Sequence, residues 1–114
     1  MHWAFLRRYS EDTRVEFPVH RDTSSFTVNV LLSEPGRDFL GADLYALPDS
    51  TCADQITVAE FRKRFGAETL RRTGAIVRQE PGACVIHPGR RLHGVLPIEK
   101  GQRITLILMY LDNV

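Results

Sequence analysis

The stretch Phe17-Pro18-Val19-His20-Arg21-Asp22 sets an imidazole and a carboxylate two residues apart. It reads as a strand running into a loop, and in extended chain residues i and i+2 share a face. His20 and Asp22 therefore aim at one point, while Arg21 points away. An imidazole beside a carboxylate suits a divalent cation of intermediate softness. One more histidine would complete the two-His, one-carboxylate face found on non-haem Fe(II). His-x-Asp alone is a weak signal, because it also arises by chance in surface turns.

A third ligand and a further polar pair lie downstream, in the stretch from His87 to Thr105. His93 opens an apolar strand. Lys100-Gly101 reads as a turn, and Arg103 opens the next strand. Arg103 and Thr105 again share a face. A guanidinium forks onto a carboxylate with two parallel hydrogen bonds, and a neighbouring hydroxyl adds a third. Such a pair suits one end of a dicarboxylate. His87, six residues before His93, reads as a strand-end histidine bonded to backbone or water, with a place near the metal as the alternative.

In order, His20-Arg-Asp22, His93-Gly-Val-Leu-Pro97 and Gly101-Gln-Arg103 resemble the catalytic half of the Fe(II)- and 2-oxoglutarate-dependent oxygenases, of the prolyl/lysyl hydroxylase type. The resemblance runs from about Leu6 to Tyr110. It implies a metal held by His20, Asp22 and His93. It also implies 2-oxoglutarate held through Arg103 with help from Thr105, and Tyr9 reaching the cosubstrate. The reaction it implies is oxidative decarboxylation of 2-oxoglutarate by O2, coupled to hydroxylation of an unactivated C–H bond. A Pro or Lys side chain of a peptide is the substrate class suggested, with ascorbate as an accessory reductant. Two positions depart from the family pattern. Leu31 lies near a position where some members carry a tyrosine, and Ala42 stands where a second glycine is common.

Positioning such a site takes strands, and the chain supplies their pattern. Strand-like segments fall at 3–9, 15–20, 26–33, 42–47, 75–80, 83–87, 92–98 and 102–111, separated by polar, Pro-Gly and Lys-Gly turns. Phe26 to Ser33 alternates, and its Thr27-Asn29-Leu31 face suits an interior that holds a polar ligand. Ile104 to Leu111 reads as a central strand buried on both faces. Thr57-Val-Ala-Glu60 is a capping-box pattern, and Val58, Phe61, Phe65 and Leu70 follow as a loose apolar stripe. One inserted helix is therefore expected near 57–72. Its basic residues read as a solvated face, or as a contact for an acidic substrate. The expected fold is all-β: a double-stranded β-helix, the jelly-roll or cupin-like barrel, of about eight strands closed at its edges.

The chain's 114 residues fit a single domain, 1–114. It begins almost at the first strand, so a minimal member, a fragment or a core without supporting N-terminal helices is expected. A sheet without helical backing exposes apolar surface, which favours a homodimer or a missing partner segment. Net charge is +1, so no global field points to nucleic acid or membrane. No apolar run is long enough to span a bilayer. Cys52 and Cys84 show no metal spacing, and free thiols with an intracellular, cytoplasmic location are the expectation. The competing reading is a non-catalytic cupin-like metal-binding or scaffold module, against which Arg103 and Thr105 argue. A metal-dependent isomerase or sugar-binding cupin ranks lowest.

Overall fold

The computed structural model describes residues 3–47 and 76–112. The expected helix at 57–72, Cys52 and His2 lie outside the described residues. The described chain is all-β: β1 (Trp3–Ser10), β2 (Phe17–His20), β3 (Phe26–Leu31), β4 (Phe39–Gly41), β5 (Leu44–Ala46), β6 (Ile76–Val77), β7 (Cys84–Pro88), β8 (His93–Val95) and β9 (Ile98–Tyr110). The larger sheet runs β1-β9-β3-β7, with β4 paired to the start of β9; the smaller runs β2-β8-β5-β6. All strand pairs are antiparallel. Among the described residues no helix is long and apolar enough to cross a membrane.

The sheets pack face to face, as a β-sandwich of the jelly-roll kind. Tyr9 and Leu31 of the larger sheet share one buried cluster with Leu44 and Val95 of the smaller, and Phe39, Ala42 and Ile98 complete it. Each such side chain stabilises the sandwich by roughly 1.5–3 kcal/mol when fully buried. The described strands form two open sheets, not a barrel closed at its edges. The jelly-roll connectivity expected from the sequence needs no edge closure, because interleaved strands and a shared core already join the sheets.

Three further expectations are corrected. Lys100-Gly101 is not a turn but lies inside β9, which runs unbroken for 13 residues. Gly101 adopts φ +81°, a conformation glycine takes at no steric cost. It kinks the strand where Phe39 and Leu40 pair with it. A Lys-Gly pair has the chemistry of a turn and of a bulge alike. The strand expected at 42–47 is present but shorter, at 44–46 in the smaller sheet. Residues 39–41, outside that expectation, form a strand of their own beside the larger sheet, and the chain crosses between them at Ala42, whose φ is +52°. Finally, β9 is central but buried on one face only. Arg103, Thr105 and Ile107 are buried, while Ile104, Leu106 and Leu108 are half-buried.

The two faces of the larger sheet differ in kind. Inward rows pair Thr27 with Met109 and His87, Asn29 with Ile107 and Val85, and Leu31 with Thr105. Outward rows join Leu6, Leu106, Val30 and Cys84, and then Ala4, Leu108, Val28 and Ile86. Leu6 and Ile86 are each 66% exposed, which matches the apolar surface expected of a sheet without backing.

Gly101→Ala tests the kink. A Cβ there would strike the Asp38 carbonyl and hold an unfavourable φ. The substitution should destabilise the protein by about 1–3 kcal/mol, read as a lower urea midpoint at unchanged m-value.

Candidate functional site

β2 and β8 are hydrogen-bonded neighbours, and His20 and His93 are Cα partners across them. The register thus brings together two histidines 73 positions apart in the chain. Each ring is oriented by backbone two residues upstream: His20 Nδ1 lies 2.8 Å from the Pro18 carbonyl and His93 Nδ1 2.7 Å from that of Arg91. A carbonyl only accepts, so each Nδ1 carries the hydrogen and each neutral ring presents an Nε2 lone pair. Both Nε2 atoms lie 3.3 Å from Asp22 Oδ1. Two ligand atoms about 2.1 Å from a metal and at right angles stand about 3 Å apart, so the spacing fits one divalent ion. Two lone pairs and a carboxylate oxygen converging this closely repel unless a metal cation, or a proton on a ring nitrogen, lies among them.

Asp22 sits just past β2 in a loop tied to the turn after β7. Its N–H donates to the Gly89 carbonyl at 2.7 Å, and Gly89 N–H donates to that of Ser25 at 3.0 Å. A side chain at Gly89 would collide with the Ser24 carbonyl, so only glycine permits this approach. The second carboxylate oxygen is also held. Thr27 Oγ1 donates to Asp22 Oδ2 at 2.8 Å, and Ser24 Oγ in turn donates to Thr27 Oγ1 at 2.6 Å. Burial acts to raise the Asp22 carboxyl. The contacts to His20, His93 and Thr27 outweigh it and hold the group well below the ordinary carboxylate range.

His87 enters from the larger sheet. Its Nδ1 is 2.8 Å from the Pro88 carbonyl, the backbone bond expected of it. It also joins the cluster, with its ring centroid 4.2 Å from that of His93 and Nε2 3.9 Å from Asp22 Oδ2. Burial, then the neighbouring His93, lowers its pKa and favours the neutral ring.

The second half of the site lies further along β9. Arg103 is 2% exposed and Thr105 1%. Arg103 Nη2 donates to Gln79 Oε1 at 2.9 Å. Among the described residues, Arg103 Nη1 and Thr105 Oγ1 are buried and have no hydrogen-bond partner. The guanidinium carbon lies 5.9 Å from the Tyr9 ring centroid and 6.0 Å from that of Phe39. Desolvation lowers the Arg103 pKa, while Tyr9 and Asp43 pull the other way. Burial raises the Tyr9 phenol above its usual value despite nearby Arg7, Arg103 and Arg14, so it stays a neutral donor. A buried guanidinium with an unpaired nitrogen, beside an unpaired hydroxyl, has the chemistry of a carboxylate receptor.

The fold therefore gathers the residues singled out from sequence into two groups: His20, Asp22 and His93, then Arg103, Thr105 and Tyr9. Tyr9 also lines the cavity of the first group. Sequence reasoning did not single out Gln79 as the partner of Arg103, nor Thr27 as the donor to Asp22. Thr27 had a signal in the polar alternation of β3; Gln79, between Arg78 and Glu80, had none.

Comparison with known proteins bears on this geometry. No family profile matches the chain. A Xenopus tropicalis protein named 2-oxoglutarate and iron-dependent oxygenase domain-containing protein 2 is 31% identical over 107 residues, covering 94% of this chain and 26% of that protein. Procollagen-lysine,2-oxoglutarate 5-dioxygenase 1 of Mus musculus is 29% identical over 102 residues, 88% of this chain and 11% of the relative. The crystal structure of EvdMO1 superposes with a TM-score of 0.67 at 19% identity, over 99% of this chain and 28% of that one, a likeness of fold. The chain thus spans about a quarter or less of the length of these relatives. Fold and clustered donors define an all-β protein with a His-Asp-His candidate metal site. Its homologues are the iron- and 2-oxoglutarate-dependent oxygenases, procollagen lysyl hydroxylases among them, as the motifs implied.

Two measurements probe the cluster. Thr27→Val removes the donor that fixes Asp22 and should weaken Fe(II) or Mn(II) binding by roughly 10–100-fold, read by calorimetry. Asp22 has a depressed pKa, so its contribution to stability is present above the unfolded value, about 3.9. That contribution fades as pH falls below it. Metal-free wild type should therefore lose stability more steeply than Asp22→Asn as the pH falls from about 4 toward 2, as followed by urea unfolding.

Proposed function

We propose that this chain is the catalytic core of an Fe(II)- and 2-oxoglutarate-dependent dioxygenase that hydroxylates an unactivated C–H bond. The observation that carries the reading is the presence of two unsatisfied features in the interior between the sheets. One is a cluster of imidazole nitrogens around a carboxylate; the other is a buried guanidinium nitrogen, Arg103 Nη1, and the Thr105 hydroxyl, which lack partners among the described residues. In this reading the two sheets are the halves of a double-stranded β-helix. A lysine or proline side chain of a peptide is the substrate class, supported by the lysyl hydroxylases among the relatives.

His20, Asp22 and His93 would hold Fe(II) from three positions and leave the others open. With 2-oxoglutarate and O2, the iron supplies the oxidising power for C–H hydroxylation. The chain's own residues provide placement. Arg103 and Thr105 take the distal carboxylate of 2-oxoglutarate and so orient its keto-acid end. Tyr9, neutral and buried between the two groups, can donate its phenolic hydrogen to the cosubstrate. Leu44 and Val95 line the cavity beside the donor cluster and keep water from its walls.

The test is an anaerobic visible titration with Fe(II), with and without 2-oxoglutarate. A charge-transfer band requiring both is expected, and His93→Ala should lose it together with metal affinity. Arg103→Ala should demand more 2-oxoglutarate, since a charge-assisted hydrogen bond contributes about 1.5–3 kcal/mol. Absence of the band in folded protein would overturn the reading in favour of a non-catalytic module.

A further inference from the structure

Among the described residues the buried guanidinium of Arg103 has one hydrogen-bond partner, Gln79, and that partner is itself held in place. Gln79 Nε2 lies 3.2 Å from the Asn29 carbonyl, 3.4 Å from Asn29 Oδ1 and 3.4 Å from the Ala83 carbonyl. Backbone carbonyls only accept, so the amide nitrogen must face them. The amide oxygen then faces Arg103, and the 2.9 Å bond to Nη2 follows. Asn29 and Ala83 are themselves anchored. Asn29 sits inside β3, and the Ala83 carbonyl also accepts from Leu31 N–H at 3.2 Å.

This clamp divides the guanidinium. Nη2 is engaged by a neutral acceptor, which does not cancel the charge. Nη1 and Thr105 Oγ1 are left buried and unpaired. Asp43 lines the same cavity and attracts Arg103. An acidic side chain at position 79 would instead quench the cation where an anion must bind.

We propose that Gln79 is a positioning residue for the cosubstrate: it holds Arg103 by Nη2 and leaves Nη1, with Thr105 Oγ1, to take the distal carboxylate. The carboxylate is then bound by one guanidinium nitrogen and one hydroxyl, not by the full fork. This inference rests on the reading of Arg103 and Thr105 as the carboxylate site.

The test compares two metal-chelating acids on Mn(II)-loaded protein by anaerobic calorimetry. 2-Oxoglutarate has a distal carboxylate; oxalate chelates the metal but has none. Gln79→Met keeps the side-chain length and removes the hydrogen bond. It should weaken 2-oxoglutarate roughly tenfold, leaving oxalate and Mn(II) affinity unchanged. Gln79→Glu, of the same size, should weaken 2-oxoglutarate further by placing a competing carboxylate on Arg103. It serves alone if Gln79→Met does not fold. Arg103→Met is the reference. If Arg103→Met fails to discriminate between the acids, the carboxylate site itself is wrong and the inference falls with it. If Arg103→Met discriminates but the Gln79 variants do not, or if they weaken both acids alike, the positioning role alone is overturned.

Discussion

A backbone carbonyl two residues upstream takes the Nδ1 hydrogen of His20, and another does the same for His93. Much of the candidate site depends on those two bonds. They select the tautomer, fix the ring plane and leave Nε2 bare. The partners are backbone atoms close by in sequence, Pro18 within β2 and Arg91 in the turn before β8, so no separate side chain orients them. Asp22 completes the set because Gly89 lets its loop lie against the turn after β7, where Thr27 and Ser24 reach the carboxylate. The donor geometry is thus a property of register and turn, and side-chain chemistry is added to a frame already built.

The group around Arg103 rests on a different constraint, burial of charge. A guanidinium taken out of water is costly unless its hydrogens are met. Here Gln79 meets one side and the rings of Tyr9 and Phe39 lie within 6 Å. The remaining unpaired nitrogen is stored binding capacity. Along β9 the two halves of the site sit on one ruler. Met109 pairs with Thr27, which holds Asp22, and the buried positions Thr105 and Arg103 follow toward the other end. A strand advances about 3.3 Å per residue, so a two-residue step displaces a side chain by roughly the full length of a small dicarboxylate.

Much of this was legible in the sequence because the relevant signals are local. His20 with Asp22, and Arg103 with Thr105, share a face by simple alternation, and the order of motifs tied them to His93. The polar alternation Thr27-Asn29 announced a polar inner face. What was not legible depends on pairing between distant segments. Nothing near Gln79 indicates that it faces Arg103, because that follows from the sheet and from the carbonyls of Asn29 and Ala83. Lys100-Gly101 was read as a turn because glycine at positive φ serves turns and bulges equally, and only the partner strand β4 distinguishes them. His87 was read as a backbone-bonded histidine, which it is. Its nearness to His93 comes from the opposite sheet, which no local pattern reports.

Part of the larger sheet's inner face is polar, beside the buried Tyr9, Leu31 and Ile107. Arg103, Thr105, Asn29 and Thr27 face inward, and Leu6, Leu106, Val30 and Ile86 face outward. Slipping a strand by one residue exchanges its faces. In most sheets the hydrophobic effect forbids that slip; here it would reward it, by drawing Leu106 and Leu108 between the sheets. The register of β9 must therefore be keyed by geometry. Ile104 N–H donates to Ser33 Oγ at 2.8 Å, Gln102 N–H donates to the Asp38 carbonyl at 3.0 Å, and the kink at Gly101 fits only one alignment with β4. A polar inner face thus leaves the chain with local frustration, and the short segment around Gly101 is where the alignment of β9 with β4 is fixed.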